Sequence, residues 1–438
     1  MKVTIVTMFN KLQTIYSLVN VVISQIEMLL DGGYEVRLIV SEGCEGRQNY
    51  EILSDSRVEW IEINEVYEGD KIERKDYYSS DIVWNDISEK KVEYLSEQFG
   101  EALRGINICL LHDILFQSNH YMHNRAIRKL IDRSKEDRTR DIHFISFTHS
   151  HPFDRPRYID SRNECRYTHM PNTLYAYPTR GGLTALAKQY NVPEGYCEVV
   201  YHVSVNINDM HKEVIDIHKK VDILSPDVLI IYPARLSTGK GLEQVVKLAG
   251  AISVMGELDV KVIYCDFKCK DTEGESYKAD IITTGMNYGL DKSDIVFTSS
   301  LGYENGLSHR SVLDLFELSN LYICPSKSES FGLTVLEAAK KGNFIVLNEN
   351  VPALKEIGGI LGSYFMQWDA RVMGHEIQQH YIKGEPIYYG FHARQIIDSI
   401  KRDKLYIAKT KSRQRFNSDW IWKNQFKPLL ERIMKTYN

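Results

Sequence analysis

The 438-residue chain predicts an α/β protein built from two Rossmann-like, parallel-sheet halves. Three observations lead there. Strand-length apolar runs alternate with helix-length segments, the order that βαβ units leave in a sequence. Several of those runs are continuously apolar, as when both faces of a parallel sheet are covered. A mixed segment at 206–225 separates two such series, so a length that allows two or three domains divides most simply into two.

Taken in order, residues 2–8 read as the first strand. Residues 16–30 read as an amphipathic helix with Leu18, Val22, Ile26 and Leu29 along one face, stopped by Asp31-Gly32-Gly33. Residues 35–41 are the next strand. This βαβ opening carries no G-x-G-x-x-G. Residues 42–100 are polar, irregular and charged with both signs, and suggest no element. A strand at 106–111 leads into His112-Asp113. A helix at 119–134 shows Arg125, Arg128, Lys129 and Arg133, which interspersed acids make a solvated face by default. A strand at 143–147 leads into Thr148-His149-Ser150-His151-Pro152, and 199–203 closes the first half. In the second half, strands fall at 228–233, 260–265, 294–298, 320–324 and 344–347. Residues 416–434, with Trp420, Trp422, Phe426 and Leu430, form a last amphipathic helix. The domains expected are 1–205, a connector at 206–225, and 226–405, with 412–438 added to the first.

Composition excludes several classes. Apolar residues make up 43% and charged residues 26% of a chain of net charge −5, which gives no general attraction to nucleic acid or anionic membrane. No run approaches the ~18–20 apolar residues that span a bilayer. The first residues enter a strand pattern with no signal-peptide core, so the expected location is cytoplasmic, at most peripheral to a membrane. Seven cysteines, odd and scattered, suit a reducing compartment, and Cys265 and Cys269 lack a second pair for zinc. No Asp-x-Asp occurs, which counts against a transferase that bridges a diphosphate through a metal ion. The 27 tyrosines are read as sugar-stacking surfaces or as a trace of base composition.

Function is most legible at Ser326-Lys327-Ser328-Glu329-Ser330-Phe331-Gly332-Leu333-Thr334-Val335-Leu336-Glu337. A buried strand ends at Pro325, and a helix over 333–341 is stopped by Gly342. If that helix begins near Phe331, Glu329 lies in the loop before it and Glu337 about two turns further on. The free N–H groups and dipole of a helix start favour an anion. Carboxylates beside such a site suit a ligand that carries both phosphates and hydroxyls, as a nucleotide-sugar does. The plainer reading is a surface helix capped by Ser328 or Ser330 with two solvated glutamates. A second strand, loop and helix carries Arg235 and Lys240 beside Gly239 and Gly241. Two cations on one glycine-bearing loop suit a diphosphate.

Arg235-Leu236-Ser237-Thr238-Gly239-Lys240-Gly241, followed by Glu329 and Glu337 with Phe331-Gly332, resembles the donor site of glycosyltransferase family 4. The match is specific over about 226–360 and loose before. The resemblance implies a retaining, hexosyl-transferring enzyme of GT-B architecture, with two Rossmann-like domains facing across a cleft and a C-terminal helix crossing back to the first. It implies that Arg235 and Lys240 hold the donor pyrophosphate, Glu337 the ribose and Glu329 the transferred sugar. The backbone from Phe331 through Gly332, Leu333 and Thr334 would contact the donor as well. It implies no metal and no cofactor; a nucleoside-diphosphate sugar, with a UDP-sugar favoured, is the co-substrate. Family members often carry a histidine after the strand matched by 143–147, which points to His149 as catalytic with His151 as rival. His112 and Asp113 are acceptor-side candidates by their strand-end position, with helix capping as the alternative. The family's glycine-rich loop after the first strand is absent here, where Phe9-Asn10-Lys11-Leu12-Gln13-Thr14 stands.

Cleavage of the anomeric bond leaves negative charge on the diphosphate, which Arg235, Lys240 and the helix N–H groups would stabilise. A donor phosphate oxygen can then take the acceptor proton, so His149 is not an obligatory base. The base-binding loop should follow the strand near Thr298. The acceptor stays open among saccharide, lipid-linked sugar, protein and small metabolite. His149, His151, Arg155, Arg157, Arg162 and Arg166 also resemble, faintly, a stretch of bacteriophage DNA α-glucosyltransferases, which makes modified DNA an alternative acceptor. Two other classes are a nucleotide-sugar 2-epimerase and a non-catalytic nucleotide-sugar-binding protein.

Overall fold

A computed structural model of the chain describes all residues except 73, 75–83, 138–141, 153–163, 269–272, 382–383 and 437–438. It divides into two compact units, Met1–Val203 with Ser418–Asn438, and Ser204–Asn417. Both are α/β, each around one all-parallel main sheet.

In the first unit the strands are β1 (Lys2–Val6), β2 (Glu35–Ser41), β3 (Val58–Ile63), β6 (Ile108–His112), β7 (His143–Phe147), β8 (Thr173–Tyr177) and β9 (Cys197–Val199). A small hairpin, β4 (Val66–Tyr67) and β5 (Asp70–Lys71), stands apart. The sheet order is β3-β2-β1-β6-β7-β8-β9. The chain therefore reverses direction across the sheet between β1 and β6, the place where strand-end loops part and ligands bind in open α/β sheets. The pleat splits the buried residues into two cores. Cys109 and Leu111 face one side with Leu95, Phe99 and Ile127. These come from α2 (Asp86–Ala102) and α3 (Tyr121–Asp137), and α4 (Leu183–Tyr190) adds Leu186. Val3, Ile5 and Leu110 face the other side, against α1 (Ser17–Asp31) and the chain's last segment.

The second unit begins with α5 (Lys212–Lys220). Its sheet holds β10 (Val228–Pro233), β11 (Val260–Cys265), β12 (Ile295–Phe297), β13 (Leu321–Cys324), β14 (Phe344–Asn348) and β15 (Tyr364–Met366). The order is β12-β11-β10-β13-β14-β15, so here the reversal falls between β10 and β13. Around it lie α6 (Leu242–Gly256), α7 (Glu275–Asn287), α8 (His309–Leu318), α9 (Leu333–Lys340), α10 (Pro352–Leu361), α11 (Glu385–Arg402) and α12 (Lys404–Arg415), with a hairpin of β16 (Ala370–Val372) and β17 (His375–Ile377). The final helical stretch belongs to the first unit. It runs as α13 (Ser418–Ile421), a π turn at Trp422–Phe426, and α14 (Lys427–Thr436), and it buries Ile421, Phe426, Leu430 and Ile433.

Several expectations from the sequence change. Residues 42–100 contain β3 and α2, a helix started by a capping box between Asn85 and Ser88. The strand expected at 199–203 is β9, which starts two residues earlier and ends at Val199, and β8 before it was not expected. Residues 206–225 are not a free connector. They fold as part of the second unit, where α5 buries Val214 and Ile217 and the His211 N–H bonds Asp314 at 2.9 Å.

Candidate active site

In the second unit the loops that follow β10 and β13 meet at the sheet's reversal point. Both strands are apolar throughout, so the chain first reaches polar residues where they end. Gly241 takes φ +64°, and a Cβ there would lie 2.9 Å from the Pro325 carbonyl oxygen, so only glycine lets the two loops touch. The Lys327 N–H bonds the Gly239 carbonyl at 2.9 Å. Three buried tyrosines brace this backbone from beneath. Tyr232 donates to the Lys240 carbonyl at 2.8 Å and Tyr264 to the Leu242 carbonyl at 2.7 Å. The Tyr322 hydroxyl bonds the Thr334 hydroxyl at 2.8 Å. The site needs tyrosine for its strand-end hydroxyl, since these rings are covered and offer no stacking surface.

Of the expected side chains, Lys240 and Glu329 are brought into contact. Lys240 Nζ lies 2.5 Å from Glu329 Oε1, in a pair whose side chains are 27% and 21% exposed. Arg235 is exposed on the same loop and makes no ion pair or hydrogen bond among the described residues. The helix α9 runs Leu333–Lys340, within the span expected and not from Phe331. Its N-cap is Gly332 at φ +88°, with no side-chain cap bond, so neither Ser328 nor Ser330 plays that part. Its first-turn N–H groups are thus left without a side-chain cap. Phe331 and Leu333 are exposed around this opening. Glu337, on α9, accepts from His309 Nε2 at 2.8 Å, a contact the sequence did not suggest because His309 opens a different helix. The loop proposed to read the base begins at Thr298, where Ser299 bonds buried Asp266 through both its N–H and its hydroxyl. Lys278 completes that network at 2.6 Å from the Ser299 hydroxyl.

In the first unit, the ends of β6 and β7 and the segment after β9 bring three histidines into line. His112 Nδ1 lies 2.9 Å from His149 Nε2, and His149 Nδ1 lies 3.2 Å from His202 Nε2. Asp113 has φ +59° and accepts the His149 backbone N–H at 2.9 Å, which ties the loop after β7 to the end of β6. It does not cap a helix through its side chain. Burial raises the Asp113 carboxyl to about 6 against the pull of that bond and of Gln117. Burial lowers His149 to about 3, with His202 adding to the effect, and holds His112 well below the usual range. His151 stands outside the line, exposed, with Nδ1 on the Pro152 carbonyl at 2.8 Å. The structure thus separates the two rivals by their surroundings. His202 was missed because nothing short-range links it to His149. Of the arginines in the DNA-like stretch, Arg155, Arg157 and Arg162 lie outside the described residues. Arg166 is buried and bonds the Phe116 carbonyl at 2.6 Å.

Residues 213–358 match the family model described as Glycosyl transferases group 1. The matched segment holds Arg235, Lys240, Glu329 and Glu337, and the match supports a glycosyltransferase. Solved structures that resemble the chain include a glycosyltransferase from Rickettsia africae ESF-5, at 14% identity and TM-score 0.38, covering 99% of this chain and 98% of that one. A sucrose-phosphate synthase from Thermosynechococcus elongatus matches at 12% and 0.36 over all of both chains. The Anabaena protein HepE, in complex with UDP and glucose, matches at 13% and 0.34 over 99% of this chain and 100% of that one. No curated protein matches the chain. Among the described residues no helix is long and apolar enough to cross a membrane, and no cluster of His, Cys, Asp and Glu is arranged to hold a metal ion.

Proposed function

We propose that the protein is a retaining, metal-independent glycosyltransferase of family 4 type, moving a hexose-type sugar from a nucleoside-diphosphate donor to an acceptor hydroxyl. The observation that carries the reading is the Lys240–Glu329 pair on the loops after β10 and β13, with unpartnered Arg235 on the loop of Lys240 and an uncapped α9 start, at Gly332, three residues beyond Glu329. Such a place stabilises a diphosphate leaving group with two cations and backbone N–H groups. Glu329 and Glu337 accept hydrogen bonds from sugar and ribose hydroxyls. Lys240 is paired with Glu329, so donor binding exchanges a carboxylate for a phosphate at Lys240 Nζ. Glu329 is released in the same step to meet the sugar. Attack on the leaving-group face, with a donor phosphate oxygen taking the acceptor proton, retains the anomeric configuration and needs no side-chain base. The protein works in the cytoplasm, with a UDP-sugar the favoured donor.

Thermal unfolding against UDP-, GDP- and ADP-sugars tests the reading. A donor present at ~100 times its Kd adds about 2.7 kcal/mol to stability. One nucleotide class should shift the wild type and leave Arg235→Ala unshifted. A shift that survives the substitution overturns the clamp, and no shift with any of them overturns the reading. A β-linked product from an α-linked donor, read by NMR, would rule out retention.

A further inference from the structure

The three-histidine line has two unlike ends. At the inner end His112 is 1% exposed, and its Nε2 is buried with no hydrogen-bond partner among the described residues. At the outer end His202 is exposed, and its Nδ1 makes no hydrogen bond there. Both ring nitrogens of His149 are used within the line, so His149 has none left for a ligand. The ring planes of His112 and His149 differ by 8° and those of His149 and His202 by 32°, which suits edge-to-edge N–H···N bonds.

A neutral imidazole carries one N–H, so the line can run in only two directions. If His202 donates inward, His149 must donate to His112, and His112 Nε2 then carries an N–H buried without an acceptor. If His112 donates outward, its Nε2 is a bare lone pair. His149 then donates through Nδ1 to His202 Nε2, and the His202 N–H sits on Nδ1 at the surface. An orphaned buried donor is the rarer and costlier defect. The outward direction is therefore the stable one, and it places all three protons on Nδ1.

We propose that His202 presents a fixed Nδ1–H to a saccharide oxygen of the bound substrate, with His149 and His112 as positioning residues that hold its ring and set its tautomer. The proposal rests on the glycosyl-transfer reading and moves the ligand-facing imidazole from His149 to His202. His202 acts as a neutral hydrogen-bond donor, and no proton is transferred through it.

Two measurements on the full chain test it. Long-range ¹⁵N–¹H spectra of the histidine rings, assigned with the single substitutions, should show neutral His202 protonated on Nδ1; protonation on Nε2 overturns the proposal. Hydrolysis of UDP-, GDP- and ADP-glucose, with water in the acceptor's place, gives the second. An asparagine amide nitrogen falls near the Nδ1 position and a glutamine amide nearer Nε2. His202→Gln should lose about tenfold in kcat/KM, as for one hydrogen bond, while His202→Asn stays within a few-fold of wild type. A rise in KM means that the contact is already made on binding, and a fall in kcat means that it is made in the transition state. Gln at wild-type rate, or Asn no better than Gln, overturns it. If the wild type turns over no nucleotide-sugar, the functional reading falls, and the ring spectra still decide the tautomer.

Discussion

The Lys240–Glu329 pair concentrates the donor site's chemistry in one contact. Each side chain is partly covered, so neither charge is fully solvated if its partner leaves. Such a pair holds its cation and its anion against each other until a phosphate takes the lysine and sugar hydroxyls take the carboxylate. Glu329→Gln removes the competitor for Lys240 and keeps the side chain's size. We expect the variant to bind the nucleoside diphosphate without sugar several-fold tighter than wild type, by calorimetry, because Lys240 no longer has to leave a carboxylate. Sugar transfer should fall by about tenfold or more, since the amide accepts the sugar's hydroxyls less strongly than the carboxylate did. Diphosphate affinity equal to wild type would mean that Lys240 is not the phosphate ligand.

At the level of strands and helices, the contact between the loops after β10 and β13 decides whether Arg235, Lys240 and Glu329 form one site. Gly241 is the pivot of that contact. Gly241→Ala adds a methyl 2.9 Å from the Pro325 carbonyl oxygen and forces a left-handed backbone on a residue that resists it. Stability should drop by about 1 kcal/mol or more in denaturant unfolding, and donor affinity should drop with it as Lys240 moves away from Glu329. An alanine variant with wild-type stability would show that the loops do not depend on this approach. This part of the molecule was legible in the sequence for a physical reason. Each motif is local, a strand end with its loop and helix start, and parallel order puts successive strand ends on one edge. The histidine line was not legible. His112 ends one strand while His149 and His202 follow two others, and no spacing rule joins residues 37 and 53 positions apart. The helix α2 did leave a signal in Val92, Leu95 and Phe99, which are one face at helical spacing, but the surrounding charges masked it. The strand β8, five residues long between irregular segments, left less to read.

For the molecule as a whole, the two units differ in how they hold their titratable groups, and acid should separate them. Burial lowers His112, His120, His123, His149, His169 and His202, all in the first unit. In the second unit the histidine lowered in this way is His392. A group lowered in the folded state gives stability that is full above its unfolded value near 6.5 and is lost as pH falls toward the folded value. Each unit of difference is worth about 1.4 kcal/mol once that range is crossed. Asp113 works the other way. Its folded value of about 6 lies above the unfolded one, so its charge destabilises the first unit near neutrality, and acid relieves that cost. One carboxyl does not balance six imidazoles. Asp209 and Asp259, raised by burial in the second unit, give that unit the same relief with fewer histidines to oppose it. Between pH 7 and pH 5 the first unit should therefore lose stability faster than the second. Tryptophan fluorescence follows it selectively, because Trp60, Trp84, Trp420 and Trp422 lie in the first unit and Trp368 alone in the second. The fluorescence midpoint in urea should fall toward pH 5 while hydrogen exchange along β10 and β13 stays protected. Equal loss in both units would mean that the buried imidazoles of the first unit do not govern its response to acid.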